Sequence, residues 1–350
     1  MWIFWCLYLW LVISSLFARL NHGRAIQTIL SAFGVWLVLA LRSPYCGVDL
    51  LGGGYIDTFV EMTYKSWDDL NAIEKFEPGW TVYCKLCGYM TDDPQMFLAI
   101  TAAITVGLIS WMIYQYARSV FLAFMVYVSF GLYLFAFSGI RQALALSITF
   151  FASHFAIQRQ HLLIFLVLVL MASFIHTSAI IFLIVWPVSY FRLTKLRGAC
   201  LLGGLLVILP LLSSIVQFIV PIIFGRDYFG YADEGGAVNL FLLYVGLFIL
   251  SLTVNIPNNL YRWMLLLAVV GQSLGTISTG AMTRIAYYFA TYFILFFPEY
   301  LSRFKTLKVQ LCLKGIICAL LIAFFYLQSS DGYLDVVPYH FFWETGYTIY

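Results

Sequence analysis

Arg141 in GIRQALA and Arg284 in TRIAYYF each interrupt long apolar stretches, and Arg42 opens the segment LRSPYCGVD. An arginine keeps its proton at any working pH, and its planar fork fits phosphate oxygens. Two or three in one cavity describe a clamp for a phosphate or diphosphate group. His176 in FIHTSAI carries a ring that titrates near neutrality and can take a proton as general base. Asp49, just past Arg42, and Glu77 in FEPGW are carboxylates that could accept a hydroxyl proton. Each residue also has a structural reading: an arginine snorkels to an interface or pairs with a loop acid, and a histidine donates to a carbonyl. No G-x-x-x-x-G-K-[ST] or G-x-S-x-G motif is present, and Gly52–Gly54 has no strand–helix context for a nucleotide. Cys84 and Cys87 form a lone C-x-x-C without a second pair, so no metal site is expected, and a disulfide involving Cys46, Cys84 or Cys87 stays open. Cofactors are expected to be none, and nucleic-acid modules are lacking.

The elements that must position these residues are membrane helices. Of 350 residues, 63% are hydrophobic and only 10% charged, with a mean hydropathy of +0.93. Soluble domains carry about 25% charged residues. Apolar runs near the ~20 residues that cross a bilayer are expected at about 2–18, 25–41, 96–115, 119–138, 141–157, 199–224, 238–255, 263–282, 285–302 and 309–327. The first reads as an uncleaved span with its N-terminus outside, because Arg19 and Arg24 follow the run.

Charge fixes the orientation. Arg19/Arg24, Arg118, Arg159, Arg192/Lys195/Arg197, Arg262 and Arg303/Lys305/Lys308 mark alternate connections, which the retention of cations places in the cytoplasm. The loop 42–95 holds nine acids, the connection near 225–237 three and the tail 328–350 three, leaving only Glu299 of 16. Because Arg159 and the Arg192–Arg197 cluster are both basic, the apolar stretch 162–191 must enter and return, with His176 at its turn. The expected fold is one all-α polytopic membrane domain over 1–350, with about twelve crossings, some short or re-entrant, and a long extracytoplasmic loop. Within that loop Ile56, Phe59, Val60, Tyr64 and Trp67 recur at helical spacing, as in a helix on the membrane or capping a cavity. Asp68 and Asp69 read as a solvated face.

Taken in order, LRSPYCGVD (Arg42, Gly47, Asp49), Glu77-Pro78-Gly79, GIRQALA (Arg141, Gln142), FIHTSAI (His176), TRIAYYF (Arg284, Tyr287, Tyr288) and Val337-Pro338-Tyr339 resemble the EpsG/Wzy family of bacterial surface-polysaccharide polymerases. That family commonly places an aspartate and a tyrosine close together after the first arginine, whereas GVDLLGGGY separates Asp49 from Tyr55. The resemblance implies a GT-C-like helical protein of the bacterial inner membrane. It would move a growing glycan from polyprenyl diphosphate to a lipid-linked repeat unit on the outer face, with inversion and without a metal. Arg141 and Arg284 would stabilise the leaving diphosphate, His176 would act as base with Asp49 or Glu77 behind it, and Arg42, Gln142, Glu77, Tyr287 and Tyr288 would bind substrate. The implied partners are the lipid-linked donor and acceptor, membrane lipids and a chain-length regulator.

Two other classes use similar residues. A flippase for the same lipids would also need a cationic cavity, but transporters favour repeated halves and midplane sites. A ligase-like transferase would differ only in its acceptor.

Overall fold

The computed structural model describes residues 1–67, 76–224, 236–276, 280–330 and 332–344. Helices α1 (Trp2–Leu16), α2 (Gly23–Ala40), α5 (Pro94–Tyr116), α8 (Ile140–Gln158) and α16 (Leu307–Ser330) are each long and apolar enough, α1 with the short turn that follows it, to cross a membrane. A sixth candidate is broken. The stretch expected as one span at 119–138 forms α6 (Val120–Ser129) and α7 (Leu132–Ser138), bent by 50° at Phe130–Gly131. The later chain forms α11 (Lys195–Phe224), α12 (Gly236–Thr253), α13 (Asn259–Gly275), α14 (Gly280–Ala290), α15 (Phe293–Leu301). The stretches expected at 263–282 and 285–302 are divided differently: α13 begins earlier, and the second is split between α14 and α15 at Thr291–Tyr292. An isolated antiparallel bridge, Arg42 to Phe341, is the β pairing among the described residues.

The two ends of the bundle differ in charge, as the alternation of loops requires. At one end Arg24 donates to the carbonyls of Ile113, Tyr114 and Ala117 where α5 finishes. Arg262 donates to Leu193 and Ser251 carbonyls at 2.7 and 3.1 Å. Glu299, the single acid expected on this side, is buried between Arg118 and Arg303. A carboxylate removed from water needs such partners, and here it ties α15 to the connection between α5 and α6.

The stretch 162–191 enters and returns. Helix α9 (Leu162–Ile175) stops at His176, whose extended φ of −149° breaks the helix. A 3-10 helix (Thr177–Ile184) and α10 (Val185–Tyr190) run back, so that Phe165 meets Trp186 at 5.3 Å and Arg159 donates to the Ser189 carbonyl at 2.6 Å. The return limb spans about 25 Å because 3-10 turns rise ~2.0 Å per residue against ~1.5 Å in α9.

At the end opposite the cations, the chain between α2 and α5 forms α3 (Tyr55–Tyr64) and α4 (Pro78–Gly88). Helix α3 is shorter than the expected apolar periodicity. Ile56 and Phe59 are buried, with Phe59 stacked on Phe97 at 4.3 Å, whereas Tyr64 is exposed and Trp67 lies past the helix, bonded to Tyr89. The apolar face of α3 is thus covered by α4 and α5 instead of lying on a membrane. Cys84 and Cys87 are free thiols buried on α4. Asp68 and Asp69, the expected outer connection across 225–235, residues 277–279 and the last six residues of the tail lie outside the described residues.

Candidate functional site

Glu77 sits where α4 begins. Pro78 occupies the first helical position, where its missing N–H costs nothing, and fixes the entry of the chain. A Cβ on Gly79 would stand 2.5 Å from the Phe174 backbone, so only glycine lets α4 close on the last turn of α9. That contact delivers the Glu77 carboxylate to the hairpin tip. Its Oε1 accepts the Thr177 N–H at 2.9 Å and the Thr177 hydroxyl at 3.0 Å, and lies 3.3 Å from His176 Nδ1. Its Oε2 forms an ion pair with Arg141.

Arg141 is in the first turn of α8, separated from α7 by Gly139 alone. Its guanidinium lies 5.0 Å from the Phe76 ring and 6.0 Å from the Tyr55 ring, and its charge opposes the rise that burial imposes on the Tyr55 hydroxyl pKa. Tyr55 is also where Asp49 enters. Gly52 and Gly53, at φ +68° and +79°, fold the intervening chain back so that Tyr55 N–H donates to the Asp49 carbonyl at 3.1 Å. The wide sequence spacing of this aspartate and tyrosine is therefore closed in space by two left-handed residues. The Asp49 carboxylate is near enough to act electrostatically on Tyr55 and Arg141.

Arg284, exposed, lies over the Phe135 ring at 5.7 Å, and its charge reaches His176 and Tyr55. Its carbonyl accepts from Gln142 Nε2 at 2.9 Å, which ties α14 to α8. Tyr288 is buried and 3.1 Å from the Ser178 hydroxyl, while Tyr287 packs on Phe135. His176, in the turn between the two limbs, is half-buried, and the charges of Arg141 and Arg284 reach it. With Nδ1–H directed at Glu77, whose charge Arg141 already neutralises, the Nε2 lone pair of a neutral ring is the acceptor.

Arg42 does not join this group. It is 2% exposed, lies 5.0 Å from the Phe137 ring and contacts the Ala136 carbonyl, beneath the chain at Tyr339–Phe341. Its guanidinium packs on α7 and its backbone pairs with Phe341 of the C-terminal segment, so the cavity position expected from its sequence context is not the one it takes. Two contributors, Thr177 and Phe76, are not marked out by the sequence, and Tyr55 is marked only as the distant tyrosine after Asp49. Thr177 adjoins His176 in HTS, and a polar pair directly after an intramembrane histidine is the signal that could have found it.

The chain is therefore a helical membrane protein with a buried polar site at the end of the bundle that lacks the cationic loops. It belongs to the EpsG family, whose pattern matches residues 25–341. No curated protein and no solved structure matches it. Membership makes it a polymerase-like protein of polysaccharide biosynthesis, with the character of a glycosyltransferase.

Proposed function

We propose that the chain polymerises a polysaccharide on the extracytoplasmic face of the bacterial inner membrane, crossing about twelve times with loop 42–95 outside. The donor is a glycan on polyprenyl diphosphate and the acceptor a sugar hydroxyl of a second lipid-linked unit. Nε2 of His176 takes the hydroxyl proton as the oxygen bonds the anomeric carbon from the face opposite the diphosphate. The old anomeric C–O bond breaks, its electron pair leaves with the diphosphate, and the configuration inverts. Arg141 and Arg284 compensate the charge that develops on the leaving group, and Gln142, Tyr287 and Tyr288 line the sugar path. The observation that carries this reading is the single carboxylate of Glu77 held by both Arg141 and the His176–Thr177 turn. It joins an anion clamp to a neutral base.

Purified protein in vesicles, given lipid-diphosphate-linked oligosaccharide, should yield a ladder of products rising in repeat-unit steps. Arg141→Ala or Arg284→Ala should each lower its rate by roughly 10²–10³-fold, the cost of losing one preorganised charge-stabilising donor. An intact ladder in either variant removes that arginine from the mechanism. Labelled substrate crossing the bilayer with no ladder would instead establish a flippase.

A further inference from the structure

Two adjoining cavities of about 810 Å³ each open at the cationic end of the bundle, and the chemistry above uses neither. They share Arg159, Pro257 and Asn259. One of them is lined by Arg159, Arg192, Lys195, Arg262 and Arg303, with no carboxylate on its wall. Retention of cations on one side of a membrane explains why these residues are at this end. It does not explain why they converge, because like charges free to choose would spread into water.

Several of them are held in place by carbonyls. Arg159 donates to Ser189, Lys195 to Thr253 at 3.2 Å, and Arg262 to Leu193 and Ser251. Carbonyl partners fix geometry and neutralise no charge. Arg303 has Glu299, but Arg159, Arg192, Lys195 and Arg262 have no carboxylate partner among the described residues. The wall is therefore a set of aimed, uncompensated cations, which an anion with several oxygens would stabilise. Beside it stand Phe191 and Leu196, 64% and 75% exposed, next to the half-exposed ring of Tyr190. An apolar rim beside a cationic pocket suits a ligand with a charged head and hydrocarbon chains.

We propose that this cavity binds a phosphomonoester or diphosphate group, presented as the headgroup of an anionic lipid. It lies at the opposite end of the bundle from Arg141 and Arg284, so the proposal stands whether or not the polymerase reading does.

The test measures binding of dioctanoyl phosphatidic acid, dioctanoyl phosphatidylcholine and inorganic diphosphate to the full chain in uncharged detergent. Phosphatidic acid should bind, and phosphatidylcholine should not. The double variant Arg192→Gln/Lys195→Gln should weaken phosphatidic acid by about tenfold or more, since two of the wall's charges are gone. Both residues are exposed, so the variant keeps its core. Arg192→Lys with Lys195 intact should restore most of the affinity. Added salt should weaken binding in the wild type and less so in the double variant. Diphosphate binding with the same sensitivity to Arg192 and Lys195, and no binding of phosphatidic acid, would support the anion site and assign it a soluble ligand. Equal binding of both lipids, binding that survives the double variant, or no binding of either anion would overturn the proposal.

Discussion

Replacing Glu77 by glutamine keeps the shape of the side chain and removes its charge. The amide oxygen can still accept from Thr177, whose N–H and hydroxyl stand 2.9 and 3.0 Å away, but the amide NH2 must then face the Arg141 guanidinium. A hydrogen bond to a charged acceptor is worth about 1.5–3 kcal/mol and a neutral one about 0.5–1.5. Weakening the bonds from Thr177 and His176 therefore costs roughly 2 kcal/mol. The ion pair adds about 1–2 kcal/mol, between the values for exposed and fully buried pairs, because its side chains are 13% and 21% exposed. The single variant should unfold at a temperature lower by roughly 6–8 °C, at about 2 °C per kcal/mol for a large chain. Arg141→Gln alone should cost about 2–3 kcal/mol by stranding the carboxylate. In the double variant two amides can bond each other, so the loss should fall short of the sum by about 1.5 kcal/mol. Unfolding of detergent-solubilised protein by heat and by denaturant closes the cycle. Additivity within about 0.5 kcal/mol would mean that the two side chains do not interact in the resting protein, and the coupling of clamp to base would fall with it.

His176→Asn retains a donor toward Glu77 but no base, so turnover should fall by about 10²–10⁴-fold with KM nearly unchanged; a lower KM-normalised rate with normal turnover would make the ring a binding group. Gly79→Ala sets two effects against each other: helix propensity favours alanine by up to about 1 kcal/mol, and the clash with the Phe174 backbone costs about 1–3. Net destabilisation with slower ladder growth is expected, and a stabilised, fully active variant would show that α4 and α9 do not touch there.

Much of this architecture was legible because membranes impose a one-dimensional rule on charge. The alternation of basic connections forced stretch 162–191 to double back, and the contact of Phe165 with Trp186 is that return. The grouping of Glu77, Arg141 and His176 followed from their shared position at the less basic ends of their segments. Finer features were hidden for a physical reason. His176 and Glu77 are 99 residues apart, and no local periodicity records which carboxylate a histidine meets. The bend at Phe130–Gly131 leaves the hydropathy of 119–138 continuous, because a broken helix buried among others is as apolar as a straight one. Arg42 misled for the same reason: an arginine at a span's end looks identical in sequence whether it faces a cavity or, as here, is enclosed by Phe137 and the C-terminal chain. Glycines carried more information than their composition suggested. Gly52 and Gly53 close the Asp49–Tyr55 loop through backbone angles that side-chain patterns do not encode.

One carboxylate meets the start of two helical segments. Arg141 belongs to the opening turn of α8, and Thr177 opens the 3-10 helix after the hairpin tip. Each start presents N–H groups without intrahelical partners and a partial positive charge. Glu77 satisfies one such N–H and neutralises the guanidinium beside the other start. Without Glu77 this corner of the bundle would hold two helix starts and two guanidinium groups, with only the Asp49 carboxylate acting on Arg141. Glu77 thus does in the resting protein what a diphosphate would do in the proposed reaction. A diphosphate carries more charge and more acceptor oxygens, so it can displace the carboxylate from Arg141 while leaving it bonded to Thr177. Freed from the guanidinium, the same carboxylate favours protonation of His176, which raises the basicity of the ring at the moment the leaving group is in place. On this reading the base is weak until the donor arrives, and hydrolysis by stray water is suppressed by the same ion pair that the cycle of Glu77 and Arg141 variants would measure.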